Sequence, residues 1–242
     1  MGTTYCFTDL HGMYNLWAQI RDYCKPDDTL IFLGDACDRG NDGLKIIYEL
    51  LKDPRVIYLK GNHEDILAMV GAEICEGRYE NKSFWSMNGG DPTIKIFETM
   101  DFISQEWLIR KMNNLPQSMW YTNPKGQEIF LCHAGTQIEY SERELQLRGR
   151  GSDPYLWDRK HIYFDWPLAA EYLNKYVVHG HTPVQYLFKN MNMEEIYVYA
   201  DGHKFDLDIG SFESCKIALF NLDTLEVEKY FYDEKTFKET CI

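Results

Sequence analysis

The chain has 242 residues, 45% of them apolar and 15% aromatic, and a formal net charge of −13. That content can build a sizeable α/β core, and residues 1–242 are read as a single domain. So acidic a chain is not expected to bind nucleic acid in general, which takes Lys and Arg against phosphates. No membrane span or secretory signal is expected either.

The apolar run Thr4-Tyr5-Cys6-Phe7-Thr8 predicts a first strand that leads into Asp9-Leu10-His11. Leu16, Trp17 and Ile20 then share one face of a predicted helix. Leu30-Ile31-Phe32-Leu33 predicts a second strand ending in Gly34-Asp35, with Asp38-Arg39-Gly40 just beyond. A second helix lines up Leu44, Ile47, Tyr48 and Leu51 and stops at Asp53-Pro54. Val56-Ile57-Tyr58-Leu59 predicts a third strand, running into Gly61-Asn62-His63-Glu64, and a helix runs from Glu64 to about Ala72. Strands alternating with helices in this way predict a parallel sheet with right-handed crossovers.

Residues 71–128 break that rhythm. The stretch at about 71–115 reads as a helical insertion over one end of the sheet, with helices over residues 83–90 and 101–111. Met119-Trp120-Tyr121, the turn Asn123-Pro124-Lys125-Gly126 and Glu128-Ile129-Phe130-Leu131 predict a hairpin that leads into His133. Residues 139–170 are polar, charged and aromatic and read as a loop-rich excursion near the site. Tyr176-Val177-Val178 runs into His179-Gly180-His181. The tail predicts strands over 196–200, 205–209, 216–220 and 226–231, paired antiparallel, with Asp201-Gly202 as a hairpin turn.

Five apolar runs thus end in metal-binding residue types. Strand followed at once by ligand is how an α/β sheet gathers distant residues at the carboxyl ends of its strands. Asp9 and His11 can reach one ion, and the Asp35 carboxylate can bridge two. Asn62 offers an amide oxygen, and His133 and His181 offer imidazoles. His179 alternates with His181 and competes for the same role. A set without thiolate suits Mn²⁺, Fe²⁺, Zn²⁺ or Co²⁺. Two such ions, about 3.5–4 Å apart, can hold a bridging hydroxide and clamp a phosphoryl group. Arg39 and Arg159 would add positive charge for a phosphate dianion, although Arg148, Arg150 and Lys160 lie close enough in sequence to compete with Arg159. His63 can face a leaving-group oxygen with one ring nitrogen and meet Asp38 with the other, a pairing that favours the imidazolium a general acid needs.

Other residues read more plainly. Seven scattered cysteines without a CxxC pair suggest reduced thiols in a cytoplasmic protein, with Cys37 and Cys132 as packing residues. Trp85, Trp120 and Trp157 read as core, and His161 and His203 as surface or satisfied structural residues.

Asp9-Leu10-His11-Gly12, the block from Gly34-Asp35 to Asp38-Arg39-Gly40, and Gly61-Asn62-His63-Glu64 resemble the three signature blocks of the phosphoprotein phosphatase family, within the calcineurin-like metallophosphoesterases. Cys132-His133-Ala134 and Gly180-His181-Thr182-Pro183 look like that family's later metal-histidine blocks. Asn88-Gly89-Gly90, Leu156-Trp157-Asp158-Arg159 and Leu207-Asp208-Ile209-Gly210 look most like its bacterial and bacteriophage lambda-type branch.

The resemblance spans roughly residues 3–212 and implies a four-layer α/β/β/α sandwich. It implies two divalent ions, Mn²⁺ foremost, with Asp9, His11 and Asp35 on the first and Asp35, Asn62, His133 and His181 on the second. It selects His181 over His179. It implies His63 with Asp38 as the proton-donating pair, Arg39 and Arg159 (with Asn62) as phosphate binders, and a supporting role for Asp208. Thr8 departs from the pattern, standing where a glycine is usual.

The activity this implies is hydrolysis of phosphomonoesters by a metal-bound hydroxide, as in a protein serine/threonine phosphatase acting on phosphorylated proteins or small phosphoesters. A symmetrical dinucleoside-tetraphosphate hydrolase is the alternative. A binding module that kept the fold and lost the chemistry should have lost ligands, and here all are present.

Overall fold

The computed structural model describes residues 2–135, 153–163 and 174–234. Three short strands, β1 (Thr4–Phe7), β2 (Thr29–Phe32) and β3 (Val56–Tyr58), run parallel. They are separated by α1 (Tyr14–Tyr23) and α2 (Gly43–Lys52). β1 and β2 are near-continuous apolar runs because both of their faces are covered, whereas edge strand β3 leaves Ile57 exposed. Tyr5, Phe7, Leu30, Phe32 and Tyr58 pack against the helices, and Cys6, Ile31, Leu33 and Leu59 pack toward a second sheet.

Helix α3 (Asn62–Cys75) begins two residues before the predicted start. Glu64 is the reason: its side chain returns to accept the backbone N–H of Gly61, the N-cap residue, which is the N3 half of a capping box. The insertion contains α4 (Lys82–Met87), α5 (Asp91–Phe97) and α6 (Phe102–Asn113). The sequence reading missed α5, whose Asp91-Pro92 opening follows two glycines and looks like a turn. Asp101 caps α6 by accepting from Ser104 N–H at 3.0 Å. In α2 the buried positions are Leu44, Ile46, Ile47 and Leu50, so the predicted stripe is rotated. Tyr48 instead stacks on Trp107 of α6.

The second sheet holds β4 (Ser118–Thr122), β5 (Glu128–Cys132), β6 (Tyr176–His179), β7 (Tyr197–Tyr199) and β8 (Lys204–Asp206), in the order β4-β5-β6-β8-β7. Two short helices, α7 (Pro154–Trp157) and α8 (Lys160–Tyr163), precede β6, and α9 (Val184–Phe188) follows it. After α10 (Ser211–Ser214) the chain returns to the first sheet as β9 (Lys216–Asn221) and β10 (Glu226–Tyr232), giving the order β10-β9-β1-β2-β3. The tail strands pair antiparallel as hairpins, β7 with β8 and β9 with β10. The two hairpins are split between the sheets, and β8 lies parallel to β6.

Ile129, Leu131, Val178, Phe205 and Leu207 meet Cys6, Ile31 and Leu33 between the two sheets. Phe130, Cys132 and Val177 face outward, where Tyr155 of α7 packs. This is the α/β/β/α layering. Trp120, expected in the core, is 44% exposed. It lies on edge strand β4 and shares the outer face with its partner Phe130.

Candidate active site

The ends of β1, β2, β5 and β6 and the start of α3 converge on one buried cluster. The Asp35 carboxylate is its centre. Asp35 Oδ2 lies 3.3 Å from His133 Nε2 and 3.7 Å from both His11 Nε2 and His63 Nε2. Its other oxygen accepts the backbone N–H of His63 at 3.0 Å, at the positive end of α3. Asp9 Oδ1 is 3.7 Å from His11 Nε2. Asn62 Oδ1 lies 2.9 Å from His133 Nε2 and 2.9 Å from His181 Nδ1.

Two overlapping groups could each hold a cation: His11, Asp35 and His63, and Asp35, His133 and His181. Several features fit a metal. The buried atoms Asp9 Oδ1, His11 Nε2 and His181 Nε2 have no hydrogen-bond partner among the described residues. His11 Nδ1 donates to the Cys37 carbonyl and His133 Nδ1 to the Leu33 carbonyl, each at 3.0 Å, which turns both Nε2 lone pairs inward. Burial, reinforced by Arg39 and His63, pushes the His11 pKa well down, toward the neutral imidazole that ligates. Burial opposes charge on His133, but Asp35 outweighs it and raises that pKa to about 9, so the carboxylates call for positive charge at this point.

The backbone around the cluster is bent to the task. Asp9, His11, Asp35, Asp38, Arg39 and His181 all adopt positive φ, between 41° and 75°. Such residues cost about 1 kcal/mol or more each and persist where the surroundings over-determine them. Here Glu64 does much of the holding, accepting the N–H groups of Asp35, Ala36 and Gly61 at 2.8 Å and the Tyr58 hydroxyl at 2.9 Å. Thr8 donates to Asp9 Oδ2 at 2.5 Å, and His181 N–H donates to the same oxygen at 3.0 Å. Gly180 must be glycine, since a Cβ there would lie 2.2 Å from Asp9 Oδ2 and 2.5 Å from Thr8 Oγ1.

His63 Nδ1 is 2.6 Å from Asp38 Oδ2. Burial works against charge on His63, yet Asp35 and Asp38 together raise its pKa. Two residues of the insertion hold Asp38. Trp85 donates its indole N–H to both carboxylate oxygens at 3.0 Å, and Thr93 accepts the Asp38 N–H at 3.1 Å. Arg39 N–H donates to the Gly89 carbonyl at 2.8 Å. The insertion therefore buttresses the site.

The structure brings Asp9, His11, Asp35, Asn62, His63, His133 and His181 together. It turns His179 away: Nδ1 donates to the Gly180 carbonyl and Nε2 accepts from the Tyr199 hydroxyl. Arg39 is half-buried and Arg159 exposed. Arg148 and Arg150 lie outside the described residues. Trp85, Thr93 and Glu64 were not recognised as site residues from sequence. Glu64 stood inside a motif, but nothing local to Trp85 or Thr93 announces contact with residue 38.

The fold and the ligand set meet in the comparison with known proteins, where residues 2–208 match the calcineurin-like phosphoesterase family. The chain belongs to that family. A similar protein, bis(5'-nucleosyl)-tetraphosphatase PrpE (asymmetrical) of Oceanobacillus iheyensis, is 25% identical over 166 residues, covering 64% of this chain and 62% of that relative. Serine/threonine-protein phosphatase PP1-delta of Caenorhabditis elegans is 33% identical over 89 residues, covering 33% of this chain and 29% of the relative. The chain thus spans less than two thirds of the curated relatives it matches. Among solved structures, a putative diadenosine tetraphosphatase superposes with a TM-score of 0.61 at 14% identity, covering 95% of this chain and 93% of that one. A Saccharomyces cerevisiae serine/threonine phosphatase with similarity to human PP5 gives 0.51 at 11% identity, covering 97% and 81%. These structural likenesses speak to the fold alone. Among the described residues no helix is long and apolar enough to cross a membrane.

Proposed function

We propose that this phosphoesterase hydrolyses phosphomonoesters with poor leaving groups, phosphoserine and phosphothreonine in proteins foremost. The observation that carries this reading is the His63–Asp38 pair, held at 2.6 Å beside the Asp35-centred cluster. A serine alkoxide is too basic to leave unprotonated, so its departure needs a positioned acid.

Asp9, His11 and Asp35 would hold one divalent ion, and Asp35, Asn62, His133 and His181 a second, Mn²⁺ by preference. Such ions supply Lewis-acid stabilisation of the phosphoryl oxygens and activate the attacking water. His63 Nε2 also lies 3.7 Å from Asp35 Oδ2, but its Nδ1 meets the Asp38 carboxylate, whereas Nδ1 of His11 and of His133 meets a neutral backbone carbonyl, and this difference in partner assigns His63 to the proton rather than to a metal. His63 therefore keeps the proton at Nε2 for the leaving-group oxygen, while Asp38, fixed by Trp85, sets the ring's orientation. Arg39 and Arg159 bind the phosphate dianion, with Asn62 beside it. Cys6, Cys24, Cys37 and Cys75 are free thiols, which supports a cytoplasmic location.

A second reading is hydrolysis of dinucleoside tetraphosphates, and the names of the Oceanobacillus relative and of the superposed tetraphosphatase favour it. Its products distinguish it. Phosphomonoester hydrolysis releases inorganic phosphate. Symmetric cleavage gives two nucleoside diphosphates, and asymmetric cleavage gives a triphosphate and a monophosphate. The test is a product assay with Mn²⁺ on phosphoserine peptide, nitrophenyl phosphate and diadenosine tetraphosphate. Phosphate release from the peptide supports the first reading, and nucleotide products with no peptide turnover replace it with the second.

A further inference from the structure

Outside the cluster, three buried side chains form a continuous hydrogen-bond chain. His179 Nδ1 lies 3.0 Å from the Gly180 carbonyl, His179 Nε2 lies 2.7 Å from the Tyr199 hydroxyl, and that hydroxyl lies 2.8 Å from His161 Nδ1. All three residues are at most 4% exposed. The carbonyl at one end sets the direction at His179. It can only accept, so His179 carries its proton on Nδ1 and offers the lone pair of Nε2. The Tyr199 hydroxyl donates to that lone pair and meets Nδ1 of His161, whose ring is also held by the backbone of Ala134 and Asp158. The rings of His161 and His179 also meet edge to face at 4.9 Å.

The chain joins two parts of the site. His161 belongs to α8, whose first turn starts at Arg159: Tyr163 N–H donates to the Arg159 carbonyl at 3.1 Å. His179 stands two residues before His181, and Gly180 N–H donates to the His133 carbonyl at 2.8 Å. The segment carrying Arg159 is also clipped to the end of β5 by Ala134 N–H on the Tyr155 carbonyl and Gly135 N–H on the Pro154 carbonyl. Trp157 brings its ring edge to face with His181 at 6.1 Å. An exposed, flexible side chain such as Arg159 gains a defined position only from the backbone beneath it. That backbone is anchored through His161.

We infer that His161, Tyr199 and His179 form a latch that positions Arg159 against the phosphate site, with the Tyr199 hydroxyl as its joint. This rests on the reading of Arg159 as a phosphate binder. The three are positioning residues, because they act on Arg159 through the backbone that carries it and not on the phosphate.

The test measures binding of inorganic phosphate to the Mn²⁺-loaded protein by calorimetry, a readout independent of turnover. Tyr199→Phe keeps the ring and deletes the joint, and phosphate affinity should fall about 10-fold, as expected for a charge-assisted contact left poorly aligned. Arg159→Ala should lose at least as much, and adding Tyr199→Phe to it should cost less than about 2-fold more. Should Tyr199→Phe fold poorly, His161 supplies a second pair: His161→Asn keeps a polar group near the Nδ1 position and should retain affinity, whereas His161→Leu should lose it. A drop in Tm with unchanged phosphate affinity overturns the latch. So do losses that multiply in the double variant, or an Arg159→Ala variant that binds phosphate normally. A protein that binds phosphate as predicted yet hydrolyses no phosphomonoester would instead defeat the proposed function and leave the latch standing.

Discussion

Trp85 donates its indole N–H to both carboxylate oxygens of Asp38, at 3.0 Å each, and Asp38 in turn meets His63 Nδ1 at 2.6 Å. The indole is fully buried, and Gly90 leaves room for it, since a Cβ there would lie 2.1 Å from its ring. Trp85→Phe should therefore keep the packing and lose the donor. The expected result is a rate loss of about 10-fold on phosphoserine peptide with little change on nitrophenyl phosphate. Steady-state kinetics on the two substrates check this, and equal losses would show that Trp85 only fills space.

Thr8 holds Asp9 through its hydroxyl, at 2.5 Å from Oδ2. Thr8→Val keeps the shape and removes that bond. Mn²⁺ affinity measured by calorimetry should weaken about 10-fold, in line with the loss of a partner behind a ligand. Unchanged affinity would reduce Thr8 to a neutral replacement for the glycine usual in the family.

Glu64 serves three backbone N–H groups and one hydroxyl, all buried. Each donor left unsatisfied costs at least about 1 kcal/mol, so with four of them Glu64→Ala should cost about 4 kcal/mol or more of stability. Urea unfolding of the metal-free protein measures it, and a loss below about 1 kcal/mol would contradict the account.

Asp35 and Asp38 raise the His63 pKa against the effect of burial. A raised pKa keeps the acid protonated to higher pH, and activity on a poor leaving group should fall as pH rises through it. Asp38→Asn removes one of the two carboxylates, so the alkaline limb on phosphoserine peptide should move to lower pH. A pH–rate profile tests the sign: a limb that stays in place or moves up would separate Asp38 from the proton.

Much of this was legible in the sequence because the site is built from strand ends. The runs ending at Asp9, Asp35, Asn62, His133 and His181 carry both the strand signal and the ligand, and short motifs mark where one yields to the other. The positive φ angles of Asp9, His11, Asp35, Asp38, Arg39 and His181 were not legible. These residues have side chains that favour other backbone regions, and only the surrounding hydrogen bonds impose the turn. Contacts across the fold were also hidden. Trp85 reads as one more core aromatic, and its N–H to Asp38 spans 47 positions. The tail strands were visible one by one, but their division between two sheets depends on which edge each hairpin meets, and local periodicity does not encode that.

The proton-donating pair is tested most directly by the kinetics of His63→Asn, measured at saturating Mn²⁺ with metal content confirmed, on phosphoserine peptide and on nitrophenyl phosphate. Nitrophenolate leaves without help and a serine alkoxide does not. The account predicts a loss of about 10²–10⁴-fold on the peptide and a far smaller one on the aryl ester. Equal losses on both would contradict it and give His63 a role in binding or in holding metal instead.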